Sequence, residues 1–305
     1  MKKYNKTPGL LTALIALTFS TQVSAQGLDS IKVVAPKAVL KKVSDQFKFT
    51  EGPAVDKKGN IFFTDQPNDK IWKYDLKGEL SLFMDQTGRS NGLYFDKKGN
   101  IIACADLKNE LWSIAPDKTT SVLMPGSLNG KGFNGPNDLW IDPKGGIYFT
   151  DPYYQRDYWE RKSTEMDGMK VYYLPKDSKT PVVADDKLVQ PNGIVGTPDG
   201  KHLFVADIRD NKTYKYDIAK DGSLSNRRLF VEQGSDGITL DSEGNLYLSG
   251  RGVTVYDRSG GKIGNIPVPS RWVGNLCFGG RDRKTLLITA SESVYTLKMN
   301  YAGVE

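Results

Sequence analysis

The sequence predicts an all-β chain closed into a six-bladed β-propeller, on three observations. One phrase is written six times: a polar lead residue, an apolar strand, a Gly-bearing turn and a second β-rich run. The leads are spaced by 40, 46, 55, 44 and 39 residues, close to the length of a four-stranded blade. No stretch carries the apolar period of an amphipathic helix of ordinary length.

The copies align on their leads. Glu51 leads GPAVDKKGNIFFTD, Asn91 leads GLYFDKKGNIIACAD and Asn137 leads DLWIDPKGGIYFTD. Asn192 leads GIVGTPDGKHLFVAD, Asp236 leads GITLDSEGNLYLSG and Asn275 leads LCFGGRDRKTLLITA. Eight residues after the lead stands Gly59, Gly99, Gly145, Gly200 or Gly244, while the sixth copy has Arg283 there.

Blade one shows the grammar. Strands are expected at 61–63, 71–74 and 80–83, each bounded by a turn signal such as Asp56-Lys57-Lys58-Gly59 or Pro67-Asn68-Asp69. Blade two repeats it to residue 124, and blade five runs from 236 to about 268. The last repeat offers three strands, near 273–278, 285–290 and 293–299. A strand within 37–44 arrives before blade one begins, so it is expected to close the last blade and remove two open edges. Residues 26–35 read as a loose leader. Blade three carries an extra segment, Pro152-Tyr153-Tyr154-Gln155-Arg156-Asp157-Tyr158-Trp159-Glu160-Arg161, where its second strand ends. Such an insertion either covers the channel mouth and lines a substrate pocket or packs on its own aromatics as a surface loop.

Residues 1–25 read as an export signal. Lys2 and Lys3 supply the charge, residues 10–19 the apolar run and Val23-Ser24-Ala25 a cleavage site. The expected mature chain, 26–305, is a single exported propeller domain, periplasmic or secreted. That apolar run is too short to span a bilayer comfortably, and no later segment is long enough. Removing Lys2, Lys3 and Lys6 takes the formal charge from +6 to +3, and the remaining lysines cluster in turns, which argues against a nucleic-acid partner. Cys104 and Cys277 lie in apolar strands of repeats that are not neighbours in a ring, so buried thiols are favoured over a disulfide. Nothing in the composition defines an oligomer face.

In a propeller, one fixed place in every repeat forms a ring about the central channel. Placed at the mouth, Glu51, Asn91, Asn137, Asn192, Asp236 and Asn275 each offer an oxygen. Two carboxylates and four amides suit a hard cation such as calcium. Counting removes other chemistries: the chain has one histidine, His202, in a turn, so a Ser-His-Asp nucleophile and a His/Cys zinc site are disfavoured. No phosphate-binding or dinucleotide fingerprint is present. What remains is a cation acting with a carboxylate base, with Glu51 and Asp236 as candidates. A purely structural ion, or channel amides bonded to backbone in the case of Asn91 and Asn275, are the plainer alternatives.

At these residues the chain resembles the SMP-30/gluconolactonase family of calcium-dependent six-bladed propellers. The resemblance covers roughly residues 37–298 and rests on Glu51-Gly52-Pro53, Asn134-Gly135-Pro136-Asn137-Asp138, Pro191-Asn192-Gly193, Asp236-Gly237-Ile238 and Asn275-Leu276-Cys277-Phe278-Gly279-Gly280. It implies metal ligation by Glu51, Asn192 and Asp236, with Asn137 a ligand or a substrate contact, and assigns proton transfer to Asp236. Ca2+ is the implied ion, with Zn2+, Mg2+ or Mn2+ as alternatives. Animal members carry an Arg two residues before the middle Asn, where this chain has Gly135, so Tyr153, Tyr154, Gln155 and Arg156 of the insertion become the substrate-binding candidates. The resulting expectation is metal-dependent hydrolysis of a sugar-acid lactone such as gluconolactone. A phosphotriester hydrolase of the same fold and a non-catalytic exported ligand-binding propeller are the rival expectations.

Overall fold

The computed structural model describes residues 25–28 and 30–304. Six four-stranded antiparallel sheets and one two-stranded hairpin hold nearly all of the regular secondary structure of the described residues. Residues 1–24 of the expected export signal lie outside the described residues. Among the described residues no helix is long and apolar enough to cross a membrane.

The inner strands are Thr50–Val55, Ser90–Phe95, Leu139–Ile141, Pro191–Gly196, Ile238–Leu240 and Asn275–Gly279. Each packs on the next, and the first packs on the last, so the ring is closed. Blade six takes its outer strand, Lys41–Ser44, from the chain's beginning: Lys41 pairs with Thr296 and Lys42 with Tyr295.

The hydrophobic core lies between blades, not within them. Phe63 and Ile61 of blade one meet Leu287 and Cys277 of blade six. Phe62 and Ile71 meet Leu93 and Ala103 of blade two, and Cys104 joins Phe149 and Tyr172 of blade three. Second strands are therefore buried on both faces, as in Ile61–Asp65 and Ile147–Asp151, whereas outer strands such as Val182–Asp185 are partly exposed. Burying one such aromatic is worth about 1.5–3 kcal/mol. Cys104 and Cys277 are both buried in separate clusters, and no disulfide joins them.

Two local chemistries recur. Turn aspartates cap the hairpins: Asp56 Oδ1 accepts from the Lys58 and Asn60 amides at 2.9 Å, and Asp96, Asp142 and Asp241 do the same in their blades. The glycines that follow the leads let inner strands touch. A Cβ on Gly92 would stand 2.6 Å from the Asn137 carbonyl oxygen, and one on Gly193 would stand 2.7 Å from that of Asp236.

The described part of 26–35 is not the loose leader expected. Leu28, Ile31, Val33 and Val34 are buried in the cluster between blades five and six, and Val34 bridges to Met299. This short apolar run has no periodicity to announce a strand, yet it covers a flank that the last two blades leave open. His202 opens the second strand of blade four, half-buried, with Nδ1 3.0 Å from Asp217 Oδ1.

Candidate active site at the channel mouth

All six lead residues stand at or just before the start of an inner strand, so the ring read from the sequence is built. Glu51 and Asp236, from blades one and five, face each other closely enough to interact electrostatically. Burial first, then the Asp236 charge, pushes the Glu51 carboxyl well above its ordinary range. Its Oε2 accepts from the Gly52 amide at 2.9 Å, and Asn275 also donates to it.

Asp236 is held on both oxygens. Asn192 Nδ2 donates to Oδ1 and Trp272 Nε1 to Oδ2, each at 2.7 Å. Burial raises its pKa to about 6, while the Trp272 and Asn192 bonds and the Arg156 charge oppose the rise. A third carboxyl, Asp138, lies beside them: Asn275 Nδ2 donates to its Oδ2 at 3.2 Å and the Leu139 amide to Oδ1 at 2.9 Å. Its pKa is raised to about 7, chiefly by burial.

Asn137 joins the ring through its backbone, its carbonyl accepting from the Gly92 amide at 2.7 Å, and it is buried next to Asp138. Asn91 is buried, and among the described residues its Oδ1 has no hydrogen-bond partner. Among the described residues no three His, Cys, Asp or Glu side chains form a metal group alone, so an ion here would rest on carboxylate and amide oxygens together. The donor set fits such an ion: two mutually repelling carboxylates, neighbouring amides and an orphaned amide oxygen are what a hard cation satisfies.

The insertion of blade three reaches this mouth with two of its four candidates. The Tyr154 hydroxyl accepts from Asn192 Nδ2 at 2.9 Å, so Asn192 links it to Asp236. Arg156 lies 5.7 Å from the Tyr154 ring and its charge acts on both Asp236 and Glu51. Tyr153 and Gln155 instead shape the insertion itself. Tyr153 donates to Gln155 Oε1 at 2.6 Å, and Gln155, exposed, donates to the Arg156 and Arg161 carbonyls. They are supports of the arm and not mouth residues, because their polar ends are already bonded within it.

Both readings of the insertion hold in part. Trp159 is buried under the Arg161 guanidinium, 3.9 Å from its ring, yet the folded arm crosses to blades one and two. Gly135 has φ +140°, and a Cβ there would stand 2.6 Å from Asp106 Oδ1 and 2.9 Å from Trp159. No side chain fits at 135, because the arm fills that space.

Sequence reasoning did not single out Trp272, Asp138 or Asp106 as site residues. Asp138 sits beside a lead and Asp106 at a recurring place in the repeat, so both carried a positional signal. Trp272 lies in a loop with no counterpart in other copies, and nothing in the sequence marks it.

Comparison with known proteins agrees with this fold. The family model described as the SMP-30/Gluconolactonase/LRE-like region matches residues 49–292. A gluconolactonase of Zymomonas mobilis is 26% identical over 291 residues, 86% of this chain and 81% of that protein. The solved structure of a gluconolactonase from Xanthomonas campestris superposes with a TM-score of 0.80 at 26% identity, covering 91% of this chain and 94% of that one. The diisopropyl-fluorophosphatase of Loligo vulgaris is 26% identical over 293 residues, 86% of this chain and 91% of that protein. The match over most of the propeller places the chain in the SMP-30/gluconolactonase/LRE-like family.

Proposed function

We propose that this chain is a metal-dependent lactonase that opens a sugar-acid lactone of the gluconolactone type. The observation that carries the reading is the meeting of Glu51 and Asp236, from blades one and five, among amides at one end of the channel. The gluconolactonases among its relatives supply the reaction class. Glu51, Asn192 and Asp236, with Asn137 beside them, would hold the ion; their oxygen-only donors suit Ca2+, Mg2+ or Mn2+ better than Zn2+, and the family resemblance selects Ca2+. When bound, the ion supplies Lewis acidity, polarising the lactone carbonyl.

The chain's own residues do the rest. Asp236, with a pKa about 6 before any ion is counted and both oxygens oriented, accepts a proton from the attacking water. The new C–O bond forms at the carbonyl carbon, the ring C–O bond breaks, and the proton passes to the departing ring oxygen, giving the free hydroxy acid. Tyr154 and Arg156 flank the place where the ring would lie. Export to the periplasm or medium is part of the same proposal and rests on Lys2, Lys3 and the apolar run 10–19.

The test is pH-stat hydrolysis of gluconolactone with and without chelator, for the wild type and Asp236→Ala. Loss of about 100-fold or more in the folded variant is expected. Full activity in that variant refutes the assignment. The Loligo relative favours a second reading, hydrolysis at phosphorus, since a cation that polarises a carbonyl also polarises a phosphoryl oxygen. A phosphotriester panel run beside the lactones separates the two.

A further inference from the structure

We propose that Asp106 is a positioning residue that fixes the Arg156 guanidinium at the channel mouth, where its free N–H groups bind hydroxyls of a polyhydroxylated lactone. The inference rests on the lactonase reading above. Its ground is a departure from a pattern that three other blades keep.

In those blades the aspartate at the end of the second strand ties down the loop entering its own inner strand. Asp65 Oδ1 accepts from the Lys48 and Phe49 amides at 3.1 and 3.2 Å. Asp151 takes the Asn134 and Gly135 amides at 3.0 and 2.8 Å, and Asp207 takes Val189 and Gln190 at 2.6 and 2.9 Å. Asp106 holds the same place in blade two, yet that task has passed to Asp69, which accepts from the Arg89 amide at 2.6 Å.

Released from its own blade, Asp106 collects donors from two others. Its Oδ2 accepts from Arg156 Nε at 2.7 Å, the Tyr158 hydroxyl at 2.6 Å and Gln66 Nε2 at 3.0 Å. The Asp106 side chain is 2% exposed, so the pair with Arg156 is shielded from the solvent that weakens surface ion pairs. A buried carboxylate that binds three side chains and no backbone of its blade's loop orients those side chains.

Arg156 is the member of the set that can reach a ligand. Among the described residues only its Nε has a protein acceptor, which leaves both terminal nitrogens to donate. The guanidinium acts electrostatically on Glu51 and Asp236, and it lies 5.7 Å from the ring of Tyr154, whose hydroxyl meets Asn192 at the mouth. Asp106 already balances its charge, so the free edge is matched to neutral hydroxyl oxygens. A lactone whose carbonyl sits by Asp236 would extend its hydroxylated carbons along that edge.

The experiment compares Asp106→Asn, Arg156→Gln and the double variant on gluconolactone, with calcium affinity measured by titration calorimetry. Each single change is expected to raise KM about tenfold or more, with kcat within about threefold and calcium bound at least as tightly as by the wild type. The double variant is expected to lose no more than Arg156→Gln alone, because Asp106 acts through Arg156. The wild type is expected to prefer gluconolactone over the unsubstituted six-membered lactone, and the variants to narrow that preference. Additive losses, a fall in kcat matching the rise in KM, unchanged kinetics, or a wild type without preference overturn the inference while leaving the lactonase reading standing. A wild type that opens no lactone removes both. Should Asp106→Asn fail to fold, Arg156→Gln and Tyr158→Phe read the same change in KM.

Discussion

Trp272 Nε1 donates to Asp236 Oδ2 across 2.7 Å, from the loop entering blade six to the lead of blade five. The bond stabilises the ionised carboxylate and offsets part of what burial does to it. Trp272→Phe keeps the ring and removes the donor. The acid limb of the kcat/KM profile should therefore move to higher pH, with activity at pH 7 down about tenfold. An unmoved limb would show that the indole only fills space.

The ion-free protein should lose stability as pH rises. Glu51 is raised well above the ordinary carboxylate range, Asp236 to about 6 and Asp138 to about 7. A carboxyl raised in the folded state stabilises fully below its unfolded value, about 4, and that contribution is lost as pH climbs through its folded value. Thermal melts in chelator should show Tm falling by roughly 5 °C or more between pH 5 and pH 8. Calcium should restore more stability at pH 8 than at pH 5, since ligands must shed protons to bind. A chelator-treated Tm that climbs across this window would contradict the site's electrostatics.

Gly92→Ala should strain ring closure. The added methyl would stand 2.6 Å from the Asn137 carbonyl oxygen and 2.7 Å from the Asp138 Cα. Both contacts are backbone of the neighbouring blade, which cannot yield as a side chain would, so a cost of about 1–3 kcal/mol is expected in urea unfolding. An unchanged midpoint would mean that neighbouring inner strands can part without penalty.

Ile31→Ala tests the segment ahead of the propeller. Ile31 is buried between blades five and six, so its truncation should cost about 2–4 kcal/mol. A loose leader would give no change.

How much of this was legible follows from what repeats. Six leads, the glycines behind them and the turn aspartates recur at one spacing, so blade number, ring and closing strand could be read before any coordinates. That Glu51, Asn192 and Asp236 lie together is legible for the same reason. Features that occur once had no such support: Trp272 is a loop residue, and Ile31 and Val33 belong to a run too short to show a period. Tyr153 and Gln155 are expected at the mouth when the insertion is taken as a unit, whereas in the fold their polar groups bond within it. Asp106 was visible as a member of the pattern, but its altered partners exist only in three dimensions.

Lys41 pairs with Thr296, so a strand made early joins a hairpin made about 255 residues later. At roughly 5–20 residues per second the early strand waits on the order of tens of seconds for its mate. Until then blade six lacks its rim, and Glu51 and Asp236 have no fixed distance between them. The binding centre is thus fixed only once blade six is made, and a chain that stops short of the hairpin at 285–298 would carry every proposed ligand without a place to hold the ion.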